Sequence, residues 1–284
     1  MAALITLALS GSALAAGGNS GLTISPLRSY PTQDPGVTTS SFVQITNSSK
    51  LPVEVDLGTQ LFSTIDESYD YAFAPVGSQD WIRLASADIN LAPGALQKVN
   101  YDVAVPASAK PGGYYFTIMA TTKEPASSVN FTVLERVVSL IYLQVNGNIT
   151  HKVSLLGIDI PLVTTNQNAP ISARLSNSGG SHERAALALT SHYWPWGKPS
   201  NSVLQGLVLP STIRRLSGTL PLNNLPGLYK TTVSFTPVQG GTTKTTHYIL
   251  YFPVWFMIFI VFAISYLALR WPAARAKLGL KKIN

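Results

Sequence analysis

The chain has 284 residues, 20 Lys+Arg against 13 Asp+Glu, a formal net charge of +7 and no cysteine. Zero cysteine excludes a disulfide scaffold, a Cys-based zinc site and a thiol nucleophile. Charged residues make up only 12%, about half the roughly 25% of a typical soluble domain, so some stretch must be strongly apolar, in keeping with a mean hydropathy of +0.21.

Read in chain order, residues 1–15 are expected to be a signal peptide: the apolar run Ala2–Leu9 is followed by Ala13-Leu14-Ala15, a small-residue cleavage pattern. No Lys or Arg precedes Arg28 to supply the usual charged start. From Gly21 onward the apolar residues recur with a period of two, the signature of half-buried strands. Val53-Glu54-Val55-Asp56-Leu57 alternates apolar and acidic. Val99, Tyr101, Val103 and Val105 form one inward set, and Tyr114, Phe116, Ile118 and Ala120 another. Phe131, Val133 and the run Val137–Val145 follow. Turn signals such as Asp34-Pro35-Gly36, Ala92-Pro93-Gly94 and Pro111-Gly112-Gly113 separate them. This pattern predicts a first β-sandwich over 21–147. A second over 148–247 comprises Lys152–Ile160, Ile171–Asn177, Ala185–Tyr193, Ser202–Leu209, Leu228–Phe235 and Thr243–Leu250. The predicted fold class is all-β: two tandem immunoglobulin-like sandwiches and one C-terminal helix.

Tyr248–Leu269 carries no charge. As a continuous helix it would be about 33 Å long, enough for a bilayer core of about 30 Å. Tyr248, Tyr251 and Trp255 at one end, with Tyr266 and Trp271 at the other, read as interfacial belts. Pro253 suits a helix start. The tail 270–284 holds five basic residues and no acid. The expected placement is a single-pass cell-membrane protein with a cytoplasmic C-terminus and the sandwiches outside. Without that tail the chain is close to neutral, so no nucleic-acid partner is expected.

Several phrases shape the two units: Ile24-Ser25-Pro26, Phe42-Val43-Gln44-Ile45-Thr46-Asn47, Lys110-Pro111-Gly112-Gly113-Tyr114-Tyr115, Leu175-Ser176-Asn177-Ser178-Gly179 and Pro226-Gly227-Leu228-Tyr229. With the overall layout they resemble the WxL-interacting protein family of bacterial surface proteins. That resemblance implies a peptidoglycan-binding-type domain, a second immunoglobulin-like domain, one transmembrane helix and a short basic tail. The N-terminal unit is also similar to the first domain of periplasmic pilus chaperones.

No catalytic motif is present: no G-x-S-x-G, H-E-x-x-H, G-x-x-x-x-G-K or S-x-x-K. No cofactor or metal site is expected. His151, His182, His192 and His247 are scattered, and His182-Glu183 after a Gly-Gly turn reads as a solvated loop. Asp66-Glu67-Ser68-Tyr69-Asp70 is the one acidic cluster; its alternate acids could offer oxygens to Ca²⁺, but too few ligands are visible and it reads as a solvated loop. Leu209-Pro210-Ser211-Thr212-Ile213 lacks the Gly of a sortase signal and reads as a strand-end turn. The candidate binding residues are Tyr193, Trp194 and Trp196, because aromatic side chains beside a turn suit a glycan or protein surface. The function expected is a non-enzymatic surface protein that binds cell-wall glycan or other surface proteins. The alternative is a pilus-type assembly chaperone acting by strand addition.

Overall fold

The computed structural model describes residues 21–123 and 134–277. The expected signal peptide, Phe131, Val133 and positions 278–284 of the basic tail lie outside the described residues. The first unit contains β1 (Leu22–Ser25), β2 (Arg28–Ser29), β3 (Thr32–Gln33), β4 (Thr38–Asn47), β5 (Val53–Thr64), β6 (Tyr71–Pro75), β7 (Ile82–Leu84), β8 (Asp88–Leu91), β9 (Leu96–Ala104), β10 (Gly112–Thr122) and β11 (Arg136–Val145). They form a sheet ordered β1-β4-β9-β7 against a larger one ordered β2-β11-β10-β5-β6, with β3 beside β11 and β8 beside β5. The period-two residues meet between these sheets: Val43, Ile45, Val99, Tyr101 and Val103 from one, Val55, Leu57, Phe116, Ile118, Ile141 and Leu143 from the other.

The second unit contains β12 (Val153–Asp159), β13 (Val163–Thr164), β14 (Asn168–Asn177), β15 (Glu183–Tyr193), β16 (Pro199–Val208), β17 (Thr212–Pro221), β18 (Gly227–Phe235) and β19 (Thr243–Tyr251). Its sheets are β12-β14-β17 and β13-β19-β18-β15-β16, closed over Ile171, Leu175, Leu187, Leu189, Val233 and Ile249. Strand β17 has no counterpart in the sequence reading, for a physical reason. Its inward positions are Leu216, Gly218 and Leu220, and a Cβ on Gly218 would lie 2.5 Å from Leu204 Cδ2. The glycine makes room for a leucine from β16, so the alternation is broken in sequence but complete in space.

The two sandwiches share a local device. Strands β4 and β14 each end in a fully buried asparagine, Asn47 and Asn177. Asn47 Nδ2 donates to the carbonyls of Leu51, Leu91 and Ala92, while its Oδ1 accepts from the Ser49 N–H. Asn177 Nδ2 donates to the carbonyls of Ser181 and Val208, and its Oδ1 accepts from the Gly179 N–H. Each side chain closes a corner where backbone groups would otherwise be buried without partners.

The C-terminal segment corrects the sequence reading. Tyr248–Tyr251 are not helical; they complete β19, in register with Lys230–Gly227 of β18. The helix α1 (Val254–Lys277) starts at Pro253, whose carbonyl accepts from the Phe256 and Met257 N–H groups. The uncharged stretch left on α1 ends at Leu269, before Arg270. It is about 24 Å long, short of a bilayer core of about 30 Å. Among the described residues no helix is long and apolar enough to cross a membrane. The expected single-pass cell-membrane placement is therefore withdrawn, and the orientation built on it falls with it. The strand took its four residues because edge pairing with β18 satisfies their backbone groups.

Candidate functional site

The richest assembly of side chains lies where the two sandwiches meet. Strand β11 reads Arg-Val-Val-Ser-Leu-Ile-Tyr-Leu-Gln-Val and is buried on both faces. Ile141, Leu143 and Val145 face the first core, while Leu140 and Tyr142 face the second unit. There they join Phe62, Tyr69 and Leu209 in a separate apolar cluster. The ring of Phe62 meets those of Tyr142, Tyr71 and Tyr115 edge-on, with centroids 5.1, 5.5 and 5.6 Å apart. A strand that is apolar on consecutive positions signals burial of both faces; Val137–Val145 carried that signal.

Polar contacts lock the joint. The Tyr69 hydroxyl accepts from the Leu209 N–H at 2.8 Å and lies 2.6 Å from Thr212 Oγ1. Burial holds the Tyr69 phenol above its ordinary value. The Arg214 guanidinium sits 4.3 Å over the Tyr69 ring. Glu67 accepts from Arg174 Nε at 2.9 Å and also bonds Arg174 Nη2, with Arg215 Nε 3.6 Å away. The Arg174 hydrogen bonds hold the Glu67 carboxyl below its ordinary range. The acidic loop is thus not simply solvated, as the sequence reading had it. It is a clamp reaching 107 residues along the chain, and no group of three or more metal-ligating side chains occurs among the described residues. The Gly113 N–H donates to the Gly180 carbonyl, and Ser181 Oγ donates to Gln144 Oε1, both at 3.0 Å.

His182 is part of the same joint. Its ring lies 5.7 to 6.1 Å from those of Tyr142, Tyr115 and Tyr30, and its Nδ1 is buried without a hydrogen-bond partner among the described residues. Burial lowers its pKa below 6.5, against the weaker pull of Glu183. The folded state then binds fewer protons than the unfolded state, so this contribution to stability is complete above the unfolded value and is lost as pH falls from about 6.5 through the lowered folded value. We expect the denaturation midpoint to fall between about pH 7 and pH 5, and His182→Gln to flatten that slope. An unchanged slope in His182→Gln would assign the pH dependence to other groups.

Beside the cluster a cavity of about 210 Å³ opens between the units, lined by Arg28, Tyr30, Tyr71 and Tyr142 from the first and Arg184, Gln205, Gly206, Leu207 and Arg214 from the second. Three arginines and no Asp or Glu line it. Arg214 Nη1 donates to the Leu207 carbonyl at 2.5 Å, but its buried Nε has no partner among the described residues. Arg184 lies 5.9 Å over the ring of Tyr30, which stacks on Tyr142 at 5.1 Å. The Tyr71 and Tyr142 hydroxyls are 3.1 Å apart, and burial raises the Tyr142 phenol, keeping it neutral. The surroundings suit an anion with two or more acceptor oxygens.

One backbone edge leads to this cavity. Residues Arg136–Ser139 of β11 pair on one side with Thr121–Ile118 of β10. On the other side, β2 begins at Arg28 opposite Leu140. The Leu140 N–H donates to the Leu27 carbonyl, so alternate residues at this edge, Arg136 and Val138, direct their backbone groups outward. No strand is hydrogen-bonded to them among the described residues, although β1 lies alongside: the Gly21 and Leu22 N–H groups donate to the Glu135 carboxylate and Ser139 Oγ donates to the Pro26 carbonyl.

The residues singled out from sequence lie elsewhere. Tyr193, Trp194 and Trp196 sit at the opposite end of the second unit, where β15 turns into β16. Tyr193 packs edge-on to Tyr229 at 5.4 Å and its hydroxyl donates to the Pro226 carbonyl. It belongs to the edge of the core. Trp194 is 48% exposed and Trp196 90%. The structure does not bring these three together with the cavity. Arg28, Arg184 and Arg214 escaped the sequence reading because they are isolated in sequence and only the docking of the units converges them.

No protein-family model matches the chain, and no curated protein matches it; the WxL-interacting resemblance rests on its motifs alone. Among solved structures the chain is similar to the class 5 fimbriae chaperone CfaA, at 13% identity and a TM-score of 0.44, over 82% of this chain and 100% of that one. It is also similar to a CsuC–CsuE chaperone–tip subunit pre-assembly complex from the archaic chaperone-usher Csu pili of Acinetobacter baumannii, at 10% identity and a TM-score of 0.39, over 82% and 100%. At such identity and score the likeness says nothing of ligand or partner.

Proposed function

We propose that this chain is a non-enzymatic binding module that holds an extended segment of another surface protein by strand addition, in the manner of an assembly chaperone. The observation that carries this reading is the half-covered edge of β11 ending at an arginine-lined cavity. A guest strand that takes the place of β1 beside Arg136–Ser139, running parallel to them, would satisfy the outward backbone groups of Arg136 and Val138. Its forward end would then meet Arg28, which occupies the next place along the edge. A C-terminal carboxylate delivered there would accept charge-assisted hydrogen bonds from Arg28 and its neighbours. The fixed frame for this contact is the joint between the sandwiches.

A synthetic octapeptide of alternating valine and threonine with a free C-terminus tests this directly. Fluorescence anisotropy with the full chain is expected to show saturable binding, weakened about tenfold or more when the peptide is amidated or Arg28 is changed to Ala. Combining amidation with Arg28→Ala is expected to cost little beyond either alone. Equal affinity for the acid and the amide would remove the carboxylate role, and no binding at all would sink the reading.

A second reading, contact with cell-wall glycan, draws on the exposure of Trp196. Sugar faces stack on such rings. If it holds, Trp196→Ala is expected to reduce retention on isolated cell wall at least fivefold without changing the denaturation midpoint; unchanged retention would end it.

A further inference from the structure

The second sandwich has an open seam that the binding mode above does not use. Strand β19 is paired with β18 along its whole length. On its other side β13 covers only Leu250 and Tyr251. The Leu250 N–H donates to the Leu162 carbonyl, and the Phe252 N–H to the Thr164 carbonyl. These bonds fix the phase of the edge: the even-numbered residues point outward. Lys244, Thr246 and Tyr248 therefore offer their N–H and C=O groups with no strand partner among the described residues.

Beneath this edge lies a groove of about 550 Å³ between β19 and β12. Leu155, Ile158 and Phe235 supply apolar walls, and Thr243, Thr245 and His247 form the side contributed by β19. Strand β12 is also an edge, but it is bulged between Leu155 and Gly157, a device that turns an edge away from pairing. Strand β19 pairs with β18 without a register break. One side of the seam is thus protected and the other is regular.

No Asp or Glu lines the groove, and Asp159 at the end of β12 accepts from Ser172 Oγ. Lys152 lines the groove, Lys244 is exposed on the outer face of β19, and Lys230 lies across from Tyr248 on β18. No Asp or Glu occurs after Glu183. Because side chains alternate along a strand, a guest added to β19 would place every second residue in the groove and the others beside Lys244. We propose that this seam is a second strand-accepting edge, and that its occupant is an extended segment of a partner protein, apolar at alternate positions and acidic between them. Apolar residues fill the groove while the acids pair across the strand with Lys244.

The probe is a labelled peptide of four Val-Glu repeats, capped at both ends so that no terminal carboxylate can engage the interdomain cavity, added to the full chain. Saturable binding is expected, with a loss of about tenfold or more for four Val-Lys repeats and for the Val-Glu peptide N-methylated at alternate residues. Thr246→Pro removes only an outward N–H and is expected to weaken binding similarly, at an unchanged melting temperature. The N-methylated peptide makes the same point should that variant fold poorly. Hydrogen exchange read by NMR is expected to slow at Lys244, Thr246 and Tyr248. Protection at Arg136 and Val138 instead would overturn this inference while leaving the proposed function standing. Absent binding, or equal binding by the N-methylated peptide, would overturn it outright.

Discussion

Asn177→Ala is expected to lower the stability of the second sandwich by about 3 kcal/mol, far more than loss of a single average hydrogen bond. The side chain is 1% exposed and serves three backbone groups, the carbonyls of Ser181 and Val208 and the N–H of Gly179. Alanine leaves all three buried and unpaired, at about 1 kcal/mol or more each. The site also lies beside the joint, since Ser181 bonds Gln144 and the Gly180 carbonyl accepts from Gly113. Loosening this corner should therefore weaken docking as well as folding. Chemical denaturation of the full chain measures the first effect. A loss under about 1 kcal/mol would mean that water replaces the amide, as it does in open corners.

Phe62→Ala is expected to cost about 3–5 kcal/mol, the usual range for deleting a buried phenyl ring. Phe62 is 4% exposed and touches three tyrosine rings. It belongs to the cluster between the units rather than to the first core. The distinguishing result is therefore geometric. Spin labels placed one on each sandwich should report a broader distance distribution in Phe62→Ala than in Phe116→Ala, whose ring belongs to the first core. Comparable broadening in both would show that the joint has no independent role in holding the units. Glu67, Arg174 and Arg215 should not substitute for the lost ring, because their pairing is partly exposed and such pairs contribute little.

These expectations rest on features of unequal visibility in the sequence. Alternation of Val99, Tyr101 and Val103, or of Phe116, Ile118 and Ala120, states which face of a strand is buried, and all six are buried. The asparagine corners were visible as the phrases Ile45-Thr46-Asn47 and Leu175-Ser176-Asn177, though not their role as plugs. Strand β17 was hidden because a glycine stands where packing demanded absence of a side chain. The end of β19 was read twice, within the strand Thr243–Leu250 and as the start of the helix Tyr248–Leu269, because a run of apolar residues looks alike in both; pairing with β18 decides for the strand.

What the sequence alone determined is mostly local: the all-β character, the inward faces and the turns, each set by periodicity and by backbone chemistry within a few residues. What tertiary structure decided is everything that needs two distant segments at once. Glu67 became a clamp only when Arg174 and Arg215 arrived beside it, and His182 was buried by tyrosines from the other sandwich. Arg28, Arg184 and Arg214 define a cavity because docking of Phe62, Tyr142 and Leu209 leaves them around one space. The opening contrast between a basic chain and a nearly neutral body is likewise resolved in three dimensions, since the charges that matter for binding are those the fold gathers, not those the composition counts.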